Sequence, residues 1–364
     1  MSDPPTQNWD KDGRTPLWWA VFKDEPAITV RTLLAATGID VNKAPTSGDF
    51  IGKSPLWVAA SLRNNTETVN ALLAATGIDV NKAPIEGNHI DKSPLWIAAE
   101  NNNTENVKAL LAFKPESGEP GIDVNKEDKD GKTPLFMAAS KGNTETVKAL
   151  LAATGIDVNK GNNDGCTPLW VAAYYGYPET VNALLATPGI DINKADNDGC
   201  TPLYAAASNG KTETVQALLA VPDIELNKGD KNGETPLWVA AYYGYPETVN
   251  ALLAAPGIDI NKAPTRGHEE WKDKTPLAIA NKKMASEKNT EIVKRYTAIV
   301  DMLKRHGAVG DRCVGVGCFP KFRLFNSGGN KRTHKNKINN NKRRNKSKTA
   351  RNKKSLKNKK TRKS

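Results

Sequence analysis

The sequence predicts an all-helical solenoid of about eight helix–turn–helix repeats with hairpin-like loops, followed by a disordered basic C-terminal tail. Three observations carry this. The tripeptide Thr/Ser-Pro-Leu recurs at Thr15, Ser54, Ser93, Thr133, Thr167, Thr201, Thr235 and Thr275, at intervals of 39, 39, 40, 34, 34, 34 and 40 residues. Each copy opens a similar pattern of two short apolar stretches separated by a tight turn. From Lys331 to Ser364 there are 17 Lys or Arg in 34 residues and no acid.

The unit beginning at Thr167 shows why each element forms. Pro168 suits the first turn of a helix, where its missing N–H costs no hydrogen bond. Leu169, Val171 and Ala172 supply a small apolar face, and Gly176 stops the helix. Tyr177-Pro178 restarts the chain, with Glu179 near the positive end of the second helix. Val181, Leu184 and Leu185 fall at i, i+3 and i+4, one buried stripe. In the preceding unit Asn143 holds the start of the second helix and is expected to cap it. The stretch 189–199, with Asp-Ile-Asn and Asp-Asn-Asp-Gly, reads as an extended turn to the next unit. Helices of about 8 to 10 residues are marginal alone, so neighbouring units must hold them.

The longer intervals come from insertions. Residues 44–53, 83–92 and 263–274 lengthen the loop between units, and 113–120 lengthens the exit from a second helix. They read equally as contact loops on a rigid scaffold or as tolerated drift. The last unit carries a longer stripe, Ile292, Val293, Tyr296, Ile299, Val300 and Leu303, ended at His306-Gly307. Its other face (Glu291, Lys294, Arg295, Lys304) is that of a solvent-facing cap.

The motifs Asp-x-x-Gly-x-Thr-Pro-Leu-x-x-Ala-Ala, Glu-x-Val-x-x-Leu-Leu and Gly-x-Asp-Val-Asn resemble those of the ankyrin-repeat family over roughly residues 9–309. That resemblance implies a rigid concave surface that binds other proteins. Two departures are systematic. The family's usual histidine after Thr-Pro-Leu is replaced by Trp18, Trp57, Trp96, Phe136, Trp170, Tyr204, Trp238 and Ala278, and one extra residue follows each Leu-Leu. The expected organisation is an N-terminal extension (1–8), eight repeats (9–309), a Cys/Gly/Phe-containing connector (310–325) and a Lys/Asn-rich tail (326–364).

The ring column after Thr-Pro-Leu repeats with the fold and is expected to fill the seam between units. Tyr174-Tyr175 and Tyr242-Tyr243 differ, because the corresponding positions elsewhere vary (Phe22-Lys23, Ser61-Leu62, Glu100-Asn101, Ser140-Lys141, Ser208-Asn209). The resemblance places them where a partner is met, and tyrosine suits binding surfaces. A recent duplication also explains the pairing, since residues 167–194 and 235–262 differ only at Thr187 versus Ala255. Loop-tip residues Asn163, Asp164, Lys231, Asn232 and Glu234 would join the tyrosines, with Lys129 and Asp130 as extensions.

Cys166 and Cys200 are equivalent positions one unit apart, too distant for a disulfide, and are expected as free thiols. Cys313 and Cys318 lack the further ligands a metal site needs, and the intervening Gly-Val-Gly lacks a dinucleotide loop's context. Asn42, Asn81, Asn125, Asn159, Asn193 and Asn261 are expected to satisfy nearby backbone groups. The resemblance adds that most look like substrates of the asparaginyl hydroxylase that modifies ankyrin repeats.

The net charge of +12 averages two unlike parts. The tail contributes +17, leaving the remaining 330 residues at −5. Lys331-Arg332 and Lys342-Arg343-Arg344 look like a bipartite nuclear-import signal, and the same charge would bind nucleic acid without reading its sequence. A solubilising role is the third reading. The tail composition resembles that of ankyrin proteins of large eukaryotic DNA viruses and protists. MSDPPTQNWDKDGR lacks a secretory pattern, and no apolar run approaches the roughly 20 residues that span a bilayer. Four cysteines and four scattered histidines suggest neither disulfide framework nor metal site.

The expectation is therefore an intracellular, monomeric, non-catalytic adaptor of cytoplasm or nucleus, or of a virus-infected host cell. It needs no cofactor, metal or membrane and binds a protein through its repeats. An import receptor or nucleic acid would meet the tail. The competing reading makes tail-mediated DNA or RNA association primary and the repeats a recruiting surface.

Overall fold

Every unit starts on the same local device. The computed structural model describes residues 10–115 and 120–310, all within one compact unit, Met1–Arg312. In each repeat the hydroxyl of the Thr or Ser before Pro accepts the backbone N–H three residues on, as Thr167 Oγ1 does from Trp170 at 3.1 Å. Proline follows at the first helical position. Sixteen α-helices result among the described residues, with one short 3-10 turn at Gly87–His89 and no strand.

They fall into eight pairs: α1 (Pro16–Phe22) and α2 (Ala27–Leu34), α3 (Pro55–Ser61) and α4 (Thr66–Leu73), α5 (Pro94–Glu100) and α6 (Thr104–Leu111), and α7 (Pro134–Ser140) and α8 (Thr144–Leu151). The series continues with α9 (Pro168–Tyr175) and α10 (Pro178–Leu185), then α11 (Pro202–Ser208) and α12 (Thr212–Leu219). It ends with α13 (Pro236–Tyr243) and α14 (Pro246–Leu253), and α15 (Pro276–Ser286) and α16 (Thr290–Arg305). First helices pack on first helices, second on second, in chain order.

The core is continuous from pair to pair. The leucine after each Pro is buried, as are the second-helix valines Val69, Val107, Val147, Val181, Val215 and Val249. Burying each such side chain stabilises by about 1.5–3 kcal/mol, which helices of seven or eight residues need. In α16 the stripe expected of the last unit closes the stack through Tyr296, Ile299, Val300 and Leu303.

Polar side chains tie each unit to the next. Asn159 Nδ2 donates to Gly189 O at 2.7 Å, while its Oδ1 accepts from Asp191 N at 2.8 Å. Asn42, Asn81, Asn125, Asn193 and Asn227 make the same double bridge to the following unit. Asn261 accepts from Val309 N beyond the last pair. At the loop tips Asn163 N donates to Asp130 O, Asn197 N to Asp164 O, and Lys231 N to Asp198 O. Gly131 permits this approach: its φ is +75°, and a Cβ there would lie 2.5 Å from Asn163 Oδ1.

Asn143 departs from expectation. It stands at the start of α8, but its side chain makes no capping bond there. Nδ2 donates instead to Ala99 O, 3.0 Å away at the end of α5 in the preceding unit. A carbonyl in the last turn of a helix lacks the partner four residues on; Ala99 O accepts Asn102 N at 3.4 Å, and the Asn143 amide adds a shorter bond across the seam. Tyr177 and Tyr245 occupy the equivalent place and lie over Gly142 and Gly210, where a Cβ would come within 2.7 Å of the ring.

A hydroxyl relay runs between second helices: Thr144 Oγ1 meets Thr180 Oγ1 at 2.8 Å, and Thr212 meets Thr248 at 2.8 Å. Pro178 stands where the partner of Thr214 would be, and the buried Thr214 hydroxyl is left without one. Thr214→Val should therefore raise stability by about 1 kcal/mol, whereas Thr248→Val, which breaks a formed pair, should lower it by a similar amount. Thermal denaturation of the two variants measures both signs.

Candidate partner-binding face

The first helices of the first seven units set out a row of rings, one each, from the residue after the buried leucine; the eighth unit has Ala278 there. The indole N–H of each tryptophan donates to the carbonyl just before the next unit's capping residue: Trp18 to Lys53, Trp57 to Lys92, Trp96 to Lys132, Trp170 to Cys200 and Trp238 to Lys274, all at 2.8–2.9 Å. Trp18, Trp57, Trp96, Phe136 and Trp238 are buried, while Trp170 and Tyr204 are only half-buried. The expected seam role therefore holds, with two open places in the fifth and sixth units.

Elsewhere the rings are covered. In the first unit Phe50 lies 5.2 Å and the Arg14 guanidinium 5.5 Å from Trp18. In the second, His89 lies 5.0 Å and Lys53 Nζ 5.1 Å from Trp57. In the third, Lys92 Nζ stands 4.1 Å over Trp96. Near the end, Trp271 meets Tyr242 edge-on at 5.5 Å and Lys283 Nζ lies 3.8 Å from the same ring. Three of the insertions thus fold an aromatic side chain (Phe50, His89, Trp271) back onto the scaffold. Burial first, then Lys53 and Lys92, lowers the His89 pKa to about 4, so its ring stays neutral.

In the fifth unit the rings stay open. Tyr174 stacks on Trp170 at 5.3 Å, Tyr175 meets Tyr174 edge-on at 5.1 Å, and Tyr177 lies 6.2 Å beyond Tyr175. Tyr174, Tyr175 and Tyr243 are 37%, 48% and 53% exposed. Tyr242 differs from its sister Tyr174: it is half-buried between Trp238, Trp271 and Lys283, and its carbonyl accepts Tyr296 Oη at 2.7 Å. Each tyrosine pair is in contact within itself. The sixth unit, with Tyr204, separates the two pairs.

The loop-tip residues divide similarly. Asn163, Asp164 and Lys231 are exposed. Asn163 Nδ2 donates to Lys129 O at 3.2 Å, and Lys231 Nζ lies 3.8 Å from Asp198. Asn232 is half-buried and turned to Asp230. Glu234, also half-buried, accepts Tyr204 Oη at 3.4 Å. Asp130 pairs with Lys132 at 3.0 Å.

Electrostatically this stretch is acidic. Burial raises the Asp230 pKa despite its backbone hydrogen bonds, and burial followed by the Asp230 charge raises that of Glu234. Burial raises the Tyr204 phenol as well. Cys166 and Cys200 are free thiols. Burial, then neighbouring carboxylates beginning with Asp196, pushes Cys166 up to about 12 and Cys200 likewise upward, which favours the protonated thiol at both.

Sequence reasoning left Tyr177, Tyr245 and Trp271 out of this face. The extra Tyr before each Pro-Glu-Thr was the available signal for the first two. Lys331, Arg332, Lys342, Arg343 and Arg344, with Cys313 and Cys318, lie outside the described residues. Among the described residues no three His, Cys, Asp or Glu side chains converge as metal ligands, and no helix is long and apolar enough to cross a membrane.

A family model described as ankyrin repeats (3 copies) matches residues 2–84, 56–160, 95–196 and 187–263. No curated protein matches the chain. Among solved structures, the crystal structure of the ankyrin repeat domain of Bcl-3, described as a unique member of the IkappaB protein family, covers 66% of this chain and 99% of its own. It is 23% identical with a TM-score of 0.55, a likeness of fold.

The raised pKa of Glu234 has a stability consequence. A carboxyl whose folded pKa lies above its unfolded value favours the folded state when protonated; that contribution is fully present below the unfolded pKa and is lost as pH rises through the folded pKa. Glu234→Gln should therefore raise the unfolding temperature at pH 7 but change it little at pH 4. A pH series of thermal melts reads the difference.

Proposed function

The chain belongs to the ankyrin-repeat family, and on that footing we propose that it is a non-catalytic adaptor whose fifth to seventh units grip a protein partner. Ankyrin repeats are generally protein–protein interaction modules. One observation carries the choice of site: the ring row is buried in the first four units and the seventh and half-exposed at Trp170 and Tyr204, beside which Tyr174, Tyr175 and Tyr243 are exposed. Large rings already held by stacking lose little entropy on binding. The adjoining exposed tips Asn163, Asp164 and Lys231 extend the contact, with Asn232 and Glu234 behind them. Tyr242, half-buried, acts as the support for Tyr243.

The tail, with its 17 basic residues, localises or tethers the adaptor. Its charge favours a second reading, association with nucleic acid by phosphate neutralisation, with the repeats recruiting partners.

Affinity capture from the source cell with the full chain and with a Tyr174→Ala, Tyr175→Ala, Tyr243→Ala variant tests the site. Partner recovery should fall by about tenfold, as expected on losing hot-spot rings, with the unfolding temperature unchanged. Equal recovery sinks the assignment. DNA binding that collapses between low and physiological salt, while partner capture persists, would separate the tail's role from that of the repeats.

A further inference from the structure

The residue immediately before each unit's capping Thr or Ser changes character along the stack. It is Arg14, Lys53, Lys92 and Lys132 in the first four units, Cys166 and Cys200 in the fifth and sixth, Glu234 in the seventh and Lys274 in the eighth. In the first three units this cation lies over its own unit's ring, at 5.5 Å on Trp18, 5.1 Å on Trp57 and 4.1 Å on Trp96. Trp170 and Tyr204 have a neutral thiol residue at that position, and they are the two rings of the row left half-exposed. The surroundings carry the opposite charge to a cation. Residues 161–235 hold ten Asp or Glu against four Lys or Arg. Asp230 and Glu234 are half-buried beside one another.

We propose that the fifth and sixth units take the cationic side chains of an extended, Lys/Arg-rich segment of a partner protein, one over Trp170 and one over Tyr204. These are the places that the first three units fill with cations of their own. The proposal rests on the reading of this face as the partner surface and specifies its chemistry. A cation over an indole or phenol face is attracted by the ring quadrupole, more strongly where water is excluded. Asp196, Asp198, Asp230 and Glu234 supply the counter-charge. An acidic segment or a nucleic acid would meet these carboxylates with like charge, and a wholly apolar helix would bury them unpaired, which is costly.

The stack also sets the spacing. Packed neighbouring helices lie about 8–10 Å apart, and an extended polyproline-II chain advances about 3.1 Å per residue with three residues per turn, so that every third side chain shares a face. Side chains three residues apart therefore match adjacent units, so the favoured motif is a basic residue at every third position.

The test uses the full chain and fluorescent twelve-residue peptides at physiological salt. One carries Arg-Ser-Ser four times, a second has the same composition with its arginines consecutive, and a third has Glu for Arg. The spaced peptide should bind saturably and about tenfold more tightly than the block peptide, and any binding of the Glu peptide, which the basic tail would give, should be unchanged by Trp170→Leu. The double variant Cys166→Lys, Cys200→Lys installs the cations of the early units and should weaken the spaced peptide about tenfold with the unfolding temperature preserved. If that variant does not fold, Trp170→Leu should show the same loss. Equal binding of spaced and block peptides overturns the proposal, as does binding unchanged by the variants or a preference for the Glu peptide or duplex DNA at this face. If the peptides fail while the tyrosine variant still loses its partner, the face binds a partner of other chemistry; if both fail, the site assignment falls too.

Discussion

The structure depends on the double hydrogen bond by which one asparagine per unit grips the next. Each helix pair is too short to persist alone, and its leucine and valine stripe is buried only when another pair covers it. Apolar packing supplies most of the driving force but tolerates sliding. The asparagine bridge fixes the register, because its amide donates to one backbone carbonyl and accepts from one N–H of the following unit. Loop-tip main-chain bonds and the indole N–H bonds repeat the same instruction at the other end of the unit. Side chains elsewhere are then free to vary, and that freedom makes room for a binding face.

Variation along the stack follows from what each unit's neighbour provides. Insertions and basic residues cover the rings of the first three units and of the seventh, whereas the fifth and sixth units leave theirs open and set them among carboxylates. The same logic explains a small defect. Pro178 gives α10 a good start but removes the hydroxyl that Thr214 would meet, so a favourable local choice leaves an orphan one unit away.

The fold was legible because its signals are local and repeated: Thr-Pro-Leu for capping, Val and Leu at helical spacing for the core, Gly for the turns. The partners of polar side chains were not legible, since they lie one unit away in the chain and are chosen by packing. Asn143 has the look of a cap and serves as a bridge to α5. The asparagines expected to satisfy nearby backbone reach the next unit instead. The sister segments 167–194 and 235–262 make the limit plain. They are nearly identical, yet Trp170 is half-exposed while Trp238 is 2% exposed, and Tyr242 sits beneath Trp271 and Lys283 while Tyr174 stays open. The difference comes from the following unit, which no reading confined to the segment itself could see.

Native-state hydrogen exchange on Asn159→Ala tests whether the asparagine bridge holds the stack in register. Exchange should quicken at the Asp191 amide and in α8 and α10, reflecting about 1–3 kcal/mol lost at that one seam, with α3, α4, α13 and α14 unaffected. Unchanged protection on both sides of the seam would contradict that role, because the asparagine bridge would then be a consequence of the stacking rather than a condition for it.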